Sequence, residues 1–434
     1  MNSISEKEDL KREIGVRSLT LAILNMTVGT GIFVIPAIVA ENLGAAAIVA
    51  YLFCGALIFL IALCFAEVGS KVTTSGGTYA YIESAFGPFA GFLANNLFWM
   101  GSCVVSDAAI ANALADTLKY FIPILNNPAA RTVFFFLLFG ILAINNVRSV
   151  KSGVRFIELA AFGKLLPLVL LVLAGIAFVS PEHLKWTTAP TVGNIGTASL
   201  LLIYAFLGME TPVSNSGEMK NPSRTVPLGI FYGISAVLVL YISIQLVTQG
   251  ILGDALFAHK DSPLGAVAGI IFGKVGITLV IIATAVSMFG GLGGSILGNP
   301  RVLYAGARDG ILPKALAKVH PRFFTPYIAV ITYASLGFLL AALGAFKQLA
   351  IITSASTLLI YLGVVLSVMK LRKTTAPAYE KTFRIPGGVT IPLLAIAAIV
   401  WLLSNLAKEE LTGITIFIFV LAMIYLAKKK MKKN

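Results

Sequence analysis

Along the chain, long apolar runs alternate with short polar segments. Windows of roughly 20 residues, the length that crosses a bilayer as a helix, fall near 18–40, 44–66, 88–116, 132–147, 156–179, 194–216, 228–251, 264–298, 326–345, 348–369, 390–407 and 411–427. The pattern predicts twelve membrane-spanning helices and leaves no segment for a soluble domain. The first fourteen residues, MNSISEKEDLKREI, are polar and charged, so no cleavable signal peptide is expected there.

Two of these spans are interrupted. The first carries Val28-Gly29-Thr30-Gly31 at its midpoint, although each Gly weakens a helix by about 1 kcal/mol relative to Ala. The sixth reads Tyr204-Ala205-Phe206-Leu207-Gly208-Met209-Glu210-Thr211-Pro212, with Gly, Glu and Pro inside an apolar run. Unwound backbone is tolerated at membrane depth where its freed N–H and C=O groups line a cavity. The interruptions stand five spans apart, so spans 1–5 and 6–10 read as two inverted halves with a site at the midplane. Packing glycines and a simple kink would leave the same letters. As a site, however, the breaks have a direct use. Half-helix N-termini present free N–H groups and a positive dipole end, which suits a carboxylate. Unwound carbonyls suit an ammonium, and one site offering both is built for an α-amino acid backbone.

Composition and charge agree with this class. Of 434 residues, 58% are hydrophobic and 12% charged, against about 25% charged in a soluble domain; the mean hydropathy is +0.91. Twenty-five of the 33 Lys and Arg residues fall in segments on the side of the N-terminus. Seven fall on the other side (Lys119, Arg131, Lys185, Lys260, Lys274, Lys347, Lys408), and Lys164 lies within a span. The asymmetry predicts cytoplasmic termini in the cell membrane. It also accounts for the net charge of +14 as basic loops facing anionic lipid, without nucleic acid. The run from Lys428 to Lys433 reads as a juxtamembrane anchor.

The chemistry inventory is thin. Cys54, Cys64 and Cys103 all lie in apolar spans, where Cys behaves as a small hydrophobe, and His183, His259 and His320 stand alone in loops. No metal-ligand spacing, Walker A loop, Rossmann glycine motif, nucleophile elbow or zinc-protease helix is present. No enzyme activity, metal or cofactor is expected, and ATP is not the direct energy source. The sequon at Asn25 falls inside a span, and Gly290, Gly291, Gly293, Gly294 and Gly298 have the spacing of close helix packing.

The motifs carry a resemblance. Val28-Gly29-Thr30-Gly31-Ile32-Phe33 resembles the GSGIF-type break of the amino acid–polyamine–organocation (APC) permeases. Phe206-x-Gly208-x-Glu210, followed by Glu218-Met219-Lys220-Asn221-Pro222-x-Arg224-x-x-Pro227, is similar to that family's FxGxE…E-x-KNPxRxxP signature. Ser75 to Tyr81 (SGGTYAY) and Arg301 to Pro313 (RVLYAGARDGILP) resemble its loops after spans 2 and 8. These four occur in order, over about residues 15 to 430. The resemblance implies an all-α fold of the LeuT type: a 5+5 inverted repeat with broken spans 1 and 6, plus two further helices. It divides the chain into an N-terminal segment 1–17, repeats 18–179 and 194–369, accessory helices 390–427 and a basic tail 428–434. It also implies alternating-access uptake or exchange of amino acids or amines. Carried over, Gly29, Thr30 and Gly31 would receive the substrate carboxylate; carbonyls near Tyr204, Ala205 and Leu207, beside Gly208, would receive the amine; Phe206 would be a gate.

Three ionisable residues lie at membrane depth and need a reason. Lys164 stands nine residues past Arg155, about 13 Å into the bilayer. It can snorkel back to the interface. By resemblance, Ala161-Phe162-Gly163-Lys164 looks like span 5 of sodium-independent members, where a lysine ammonium stands in for Na⁺. Glu210 lies eight residues before Glu218, about 12 Å in; its match in the similar arginine/agmatine antiporters is linked to proton sensing. Asp107 is a departure, because those antiporters have an amide there facing the substrate. It either pairs with a cationic ligand or has a partner elsewhere. Tyr204 and Ser295 replace tryptophans of those antiporters, so their aromatic box is not reproduced, and Val72-Thr73-Thr74 lacks the proline usual in the family before the SGG.

The reading is a sodium-independent amino acid transporter, proton-coupled or exchanging. Its partners would be an amino acid or amine substrate, protons and the lipid bilayer. An amino acid/amine antiporter and a non-transporting amino acid sensor are the alternatives; a channel is disfavoured by the paired breaks.

Overall fold

The computed structural model describes residues 14–72, 77–148, 164–186, 189–213, 219–308, 312–374 and 383–431. Residues 1–13, Ser75, Gly76, Arg155, Ala161 to Gly163, Glu218, Asp309 to Ile311 and the last three residues of the tail lie outside the described residues. Among the described residues the chain is helical, with one isolated parallel bridge, Ile14 to Met219.

In chain order the first half contains α1 (Val16–Thr27), α2 (Gly31–Leu43), α3 (Ala47–Lys71), α4 (Gly77–Phe86), α5 (Pro88–Asn96), α6 (Val105–Leu118), α7 (Pro128–Arg148) and α8 (Lys164–Phe178). The second half contains α9 (Val192–Ile203), α10 (Glu210–Val213), α11 (Pro222–Leu252), α12 (Pro263–Gly298), α13 (Pro300–Arg308), α14 (Tyr327–Leu343) and α15 (Phe346–Thr374). The chain closes with α16 (Thr390–Leu403) and α17 (Lys408–Met431). Among the described residues, seven stretches are long and apolar enough to cross a membrane; α8, α9 with its following turn, α14 and α16 are shorter apolar helices.

The helices are sorted by what surrounds them. α2 is buried from Gly31 through Ala40 and forms the centre, wrapped by α3, α9 and α11. α7, α8, α16 and α17 point large apolar side chains outward, among them Phe136, Ile144, Leu166, Leu173, Leu394 and Phe419. An exposed apolar belt is what lipid contact requires, and every helix satisfies its own backbone in that medium.

Local structure departs from a plain reading of spans in three places. α5 and α6 are joined by a π-helical turn, Leu97–Val104, a local widening found often at functional sites. α12 bends at Gly273, where φ is 65°. Two segments read as loops are helical: α4 tucks Tyr81 and Ile82 into the core, and α13 buries Leu303 and Ala307 while Arg301 and Arg308 stay exposed. Both are too short and polar to signal as spans.

Candidate functional site

The expected breaks are both present. α1 stops at Thr27, Val28 is extended (φ −71°, ψ 93°), and α2 begins at Gly31. In the sixth span α9 tightens into a 3₁₀ turn at Tyr204–Phe206, Leu207 is extended (φ −69°, ψ 154°) and Gly208 has φ 111°. The breaks pack on each other. A Cβ on Gly31 would stand 2.7 Å from Ala205 Cα, and one on Gly208 would stand 2.5 Å from Met26 O. No side chain fits at either point, and at Gly208 the positive φ adds a second reason for glycine. Gly29 differs: a Cβ there meets nothing nearer than Thr27 O at 3.8 Å, so it faces open space.

Four half-helix ends therefore meet at the breaks, and their charges are handled unequally. The negative, C-terminal end of α1 receives Lys164 of α8, whose Nζ donates to Asn25 O at 2.5 Å. The positive, N-terminal end of α10 is met by Glu210, which accepts from Gly208 N–H at 3.0 Å and from the Tyr361 hydroxyl at 2.7 Å. A cation at a C-terminus and an anion at an N-terminus are the favourable placements. Among the described residues, the other two ends carry no such charge on their own terminal turns. The first turn of α2 contains no acidic residue, and the last turn of α9 no basic one. Lys164 and Glu210, similar in expected depth, thus serve different breaks.

The aromatic side chains complete the frame. The Tyr241 hydroxyl of α11 lies 2.9 Å from Thr27 O and 2.8 Å from Ala205 O, tying the breaks together. Phe206 is fully buried with its ring edge-on to Tyr241, centroids 5.2 Å apart. Tyr204 stacks edge-on against Phe346 at the start of α15, and its hydroxyl accepts from Ser106 Oγ at 3.3 Å. Asp107, the next residue, is buried, but its hydrogen bonds go elsewhere. Tyr333 of α14 donates to Oδ2 at 2.8 Å, and Asn299 Nδ2 donates to the Tyr333 hydroxyl at 2.9 Å.

The structure thus brings Gly29, Thr30, Gly31, Tyr204, Ala205, Phe206, Leu207 and Gly208 together, with Lys164 and Glu210 at the ends of the breaks. Tyr241, Tyr333 and Tyr361 were not expected. Each lies in an apolar run where an aromatic reads as core, and the signal available was that a buried phenol needs a hydrogen-bond partner.

A family model described as amino acid permease matches residues 14–431. The chain belongs to the amino acid permease family. Among proteins similar to this permease is the branched-chain amino acid permease BcaP of Bacillus subtilis, 27% identical over 99% of this chain and 96% of that protein. The methylthioribose transporter of the same organism is 29% identical over 98% and 95%, and its serine/threonine exchanger SteT 28% over 99% and 100%. The permease is thus a multi-pass APC-family transport protein with the LeuT fold, not an enzyme, and it acts in amino acid transport.

Proposed function

We propose that this permease is a sodium-independent secondary transporter of α-amino acids, working by alternating access with proton coupling or exchange. Its place is the cell membrane, with both termini cytoplasmic. Twelve passes belong to this reading: the apolar stretch Gly31–Lys71 turns at Gly44, where φ is 51°, so it carries half of the first pass and all of the second. The repeats would then be 18–179 and 194–369, with 390–427 accessory.

One observation carries the substrate class. Of the four half-helix ends, the chain supplies charge to two, through Lys164 and Glu210, and leaves α2's positive end and α9's negative end open. A zwitterion completes that set: its carboxylate takes the N–H groups around Gly29, Thr30 and Gly31, and its ammonium takes carbonyls near Tyr204, Ala205 and Leu207. Lys164 places an ammonium at the end of α1, which removes the need for a sodium ion there. The similar methylthioribose transporter leaves room for other cargo on this fold, but only an amino acid matches both open ends. Exchange of an amino acid for its amine would rest on Asp107, whose carboxylate is turned toward Tyr333.

The decisive experiment is thermal stabilisation of the purified protein by the twenty amino acids and their decarboxylated amines, followed by uptake into vesicles in Na⁺ or choline. A ligand at 100 times its Kd stabilises by about 2.7 kcal/mol. Amino acids should stabilise and accumulate equally in either salt, and amines should be inert. Gly29→Val, which projects bulk into open space, should abolish binding while the protein still purifies folded. Stabilisation by amines alone would overturn the zwitterion site, accumulation only in Na⁺ the sodium independence, and binding without accumulation would make the protein a sensor.

A further inference from the structure

Three helices around the breaks bury polar groups that nothing in the site above uses. On α3, the Tyr51 hydroxyl has no hydrogen-bond partner among the described residues; nor have the Ser199 hydroxyl on α9 and both amide atoms of Gln245 on α11. Tyr51 and Ser199 are fully buried, and Gln245 is 2% exposed. α3 packs against both α9 and α11. The Cys54 thiol, one turn from Tyr51, donates to Ser199 O at 3.4 Å. Gly55 packs on Leu238 and Phe59 on Phe231, so α3 and α11 run antiparallel, with Tyr51 and Tyr241 on the same stretch of their contact. Gln245 follows Tyr241 by one turn on the same face of α11.

Tyr241 has its own shortfall. Its single O–H stands within reach of two carbonyls, Thr27 O and Ala205 O, and can serve only one. We propose that this unit is a hydration site: water bound among Tyr51, Ser199, Gln245 and Tyr241, behind the substrate site. A buried, unpartnered hydroxyl or amide is strongly unfavourable, most of all in a membrane where no solvent reaches it from outside. The needs here are mixed. Gln245 presents a donor and an acceptor together, and the spare carbonyl beside Tyr241 needs a donor. Water supplies both roles and typically binds through two to four such partners. A monovalent cation would satisfy oxygens alone and would face the amide N–H₂ with like charge. Gln245 is then a positioning residue, holding the water that supports the Tyr241 bridge between the breaks. This inference does not depend on which substrate is carried.

Hydroxyl-radical labelling by X-ray radiolysis tests it, since bound water generates the radical in place. The full chain in lipid nanodiscs would be exposed and its peptides quantified by mass spectrometry, with rates normalised for intrinsic side-chain reactivity. Tyr51 should be modified several-fold faster than Phe135 and Phe139, which are as buried but carry no polar atom that could hold a water. Gln245→Leu should lower the Tyr51 rate several-fold, leave the phenylalanines unchanged and raise KM. Tyr51 labelling no faster than the phenylalanines in the wild-type protein would overturn the site, whether or not the variant assembles. A Tyr51 rate that falls when Na⁺ replaces choline would assign the place to a cation and overturn the proposal equally.

Discussion

Buried charge is treated in two ways in this molecule. At the end of α3, Glu67 is wholly buried and saturated. Arg372 of α15 donates twice, from Nε to Oε1 at 2.7 Å and from Nη2 to Oε2 at 2.5 Å; Lys71 Nζ and the Ile385 N–H donate at 3.0 and 2.9 Å. Arg372 also reaches Gly388 O at 2.7 Å, so α3, α15 and the segment leading into α16 are joined at one carboxylate. Around the breaks the pattern is the reverse. Lys164 meets a backbone carbonyl, and Asp107 and Glu210 accept from the neutral phenols of Tyr333 and Tyr361. A saturated ion pair cannot change partners without stranding a charge, so it fastens. A charge held by neutral groups can exchange them for a substrate or a proton, so it can take part in a cycle.

The largest effect should come from breaking the fastening. Glu67→Ala strands Arg372 and Lys71 in a mostly buried place, and losing one partner of such a pair destabilises by about 3 kcal/mol. The melting temperature of the purified protein should fall markedly, while the fraction that remains folded keeps its KM for substrate. Unchanged melting with an altered KM would erase the contrast between the two groups of charge.

A smaller effect, of the opposite kind, is expected at the breaks. Lys164→Met removes the cation from the end of α1 but leaves a side chain of similar length. Transport should fall by about tenfold, equivalent to 1.4 kcal/mol, with the melting temperature nearly constant. A variant that melts early and transports normally per folded molecule would make Lys164 another fastening.

The sequence made Lys164 visible because a charge inside an apolar run is improbable without a role, and it made both breaks visible because Gly-Thr-Gly and Gly-x-Glu-x-Pro oppose a helix. The phenols that tie the breaks together or hold the buried carboxylates were hidden for the same physical reason in reverse. Tyr241, Tyr333 and Tyr361 are apolar enough to sit in any span, and only their packing reveals which phenol meets which acceptor. Nor could the pattern tell that Gly31 and Gly208 are required by contact across the breaks whereas Gly29 faces space, since all three read alike. α4 and α13 escaped because a short amphipathic helix on a membrane protein has the composition of a loop.

The smallest effect is expected at Asp107. A carboxylate aimed into the site would select cationic substrates, but this one accepts from Tyr333, which in turn accepts from Asn299. Asparagine offers the Tyr333 hydroxyl the same acceptor at nearly the same place, so Asp107→Asn should preserve the chain of hydrogen bonds. Affinities for neutral amino acids, read from thermal shifts across a concentration series, should then change by no more than about threefold, or 0.7 kcal/mol. Lysine and arginine should change in parallel with alanine. A loss confined to the cationic ligands would place Asp107 among the charges that meet substrate and revive exchange against an amine, because only a side-chain or terminal cation can distinguish a carboxylate from its amide in that position.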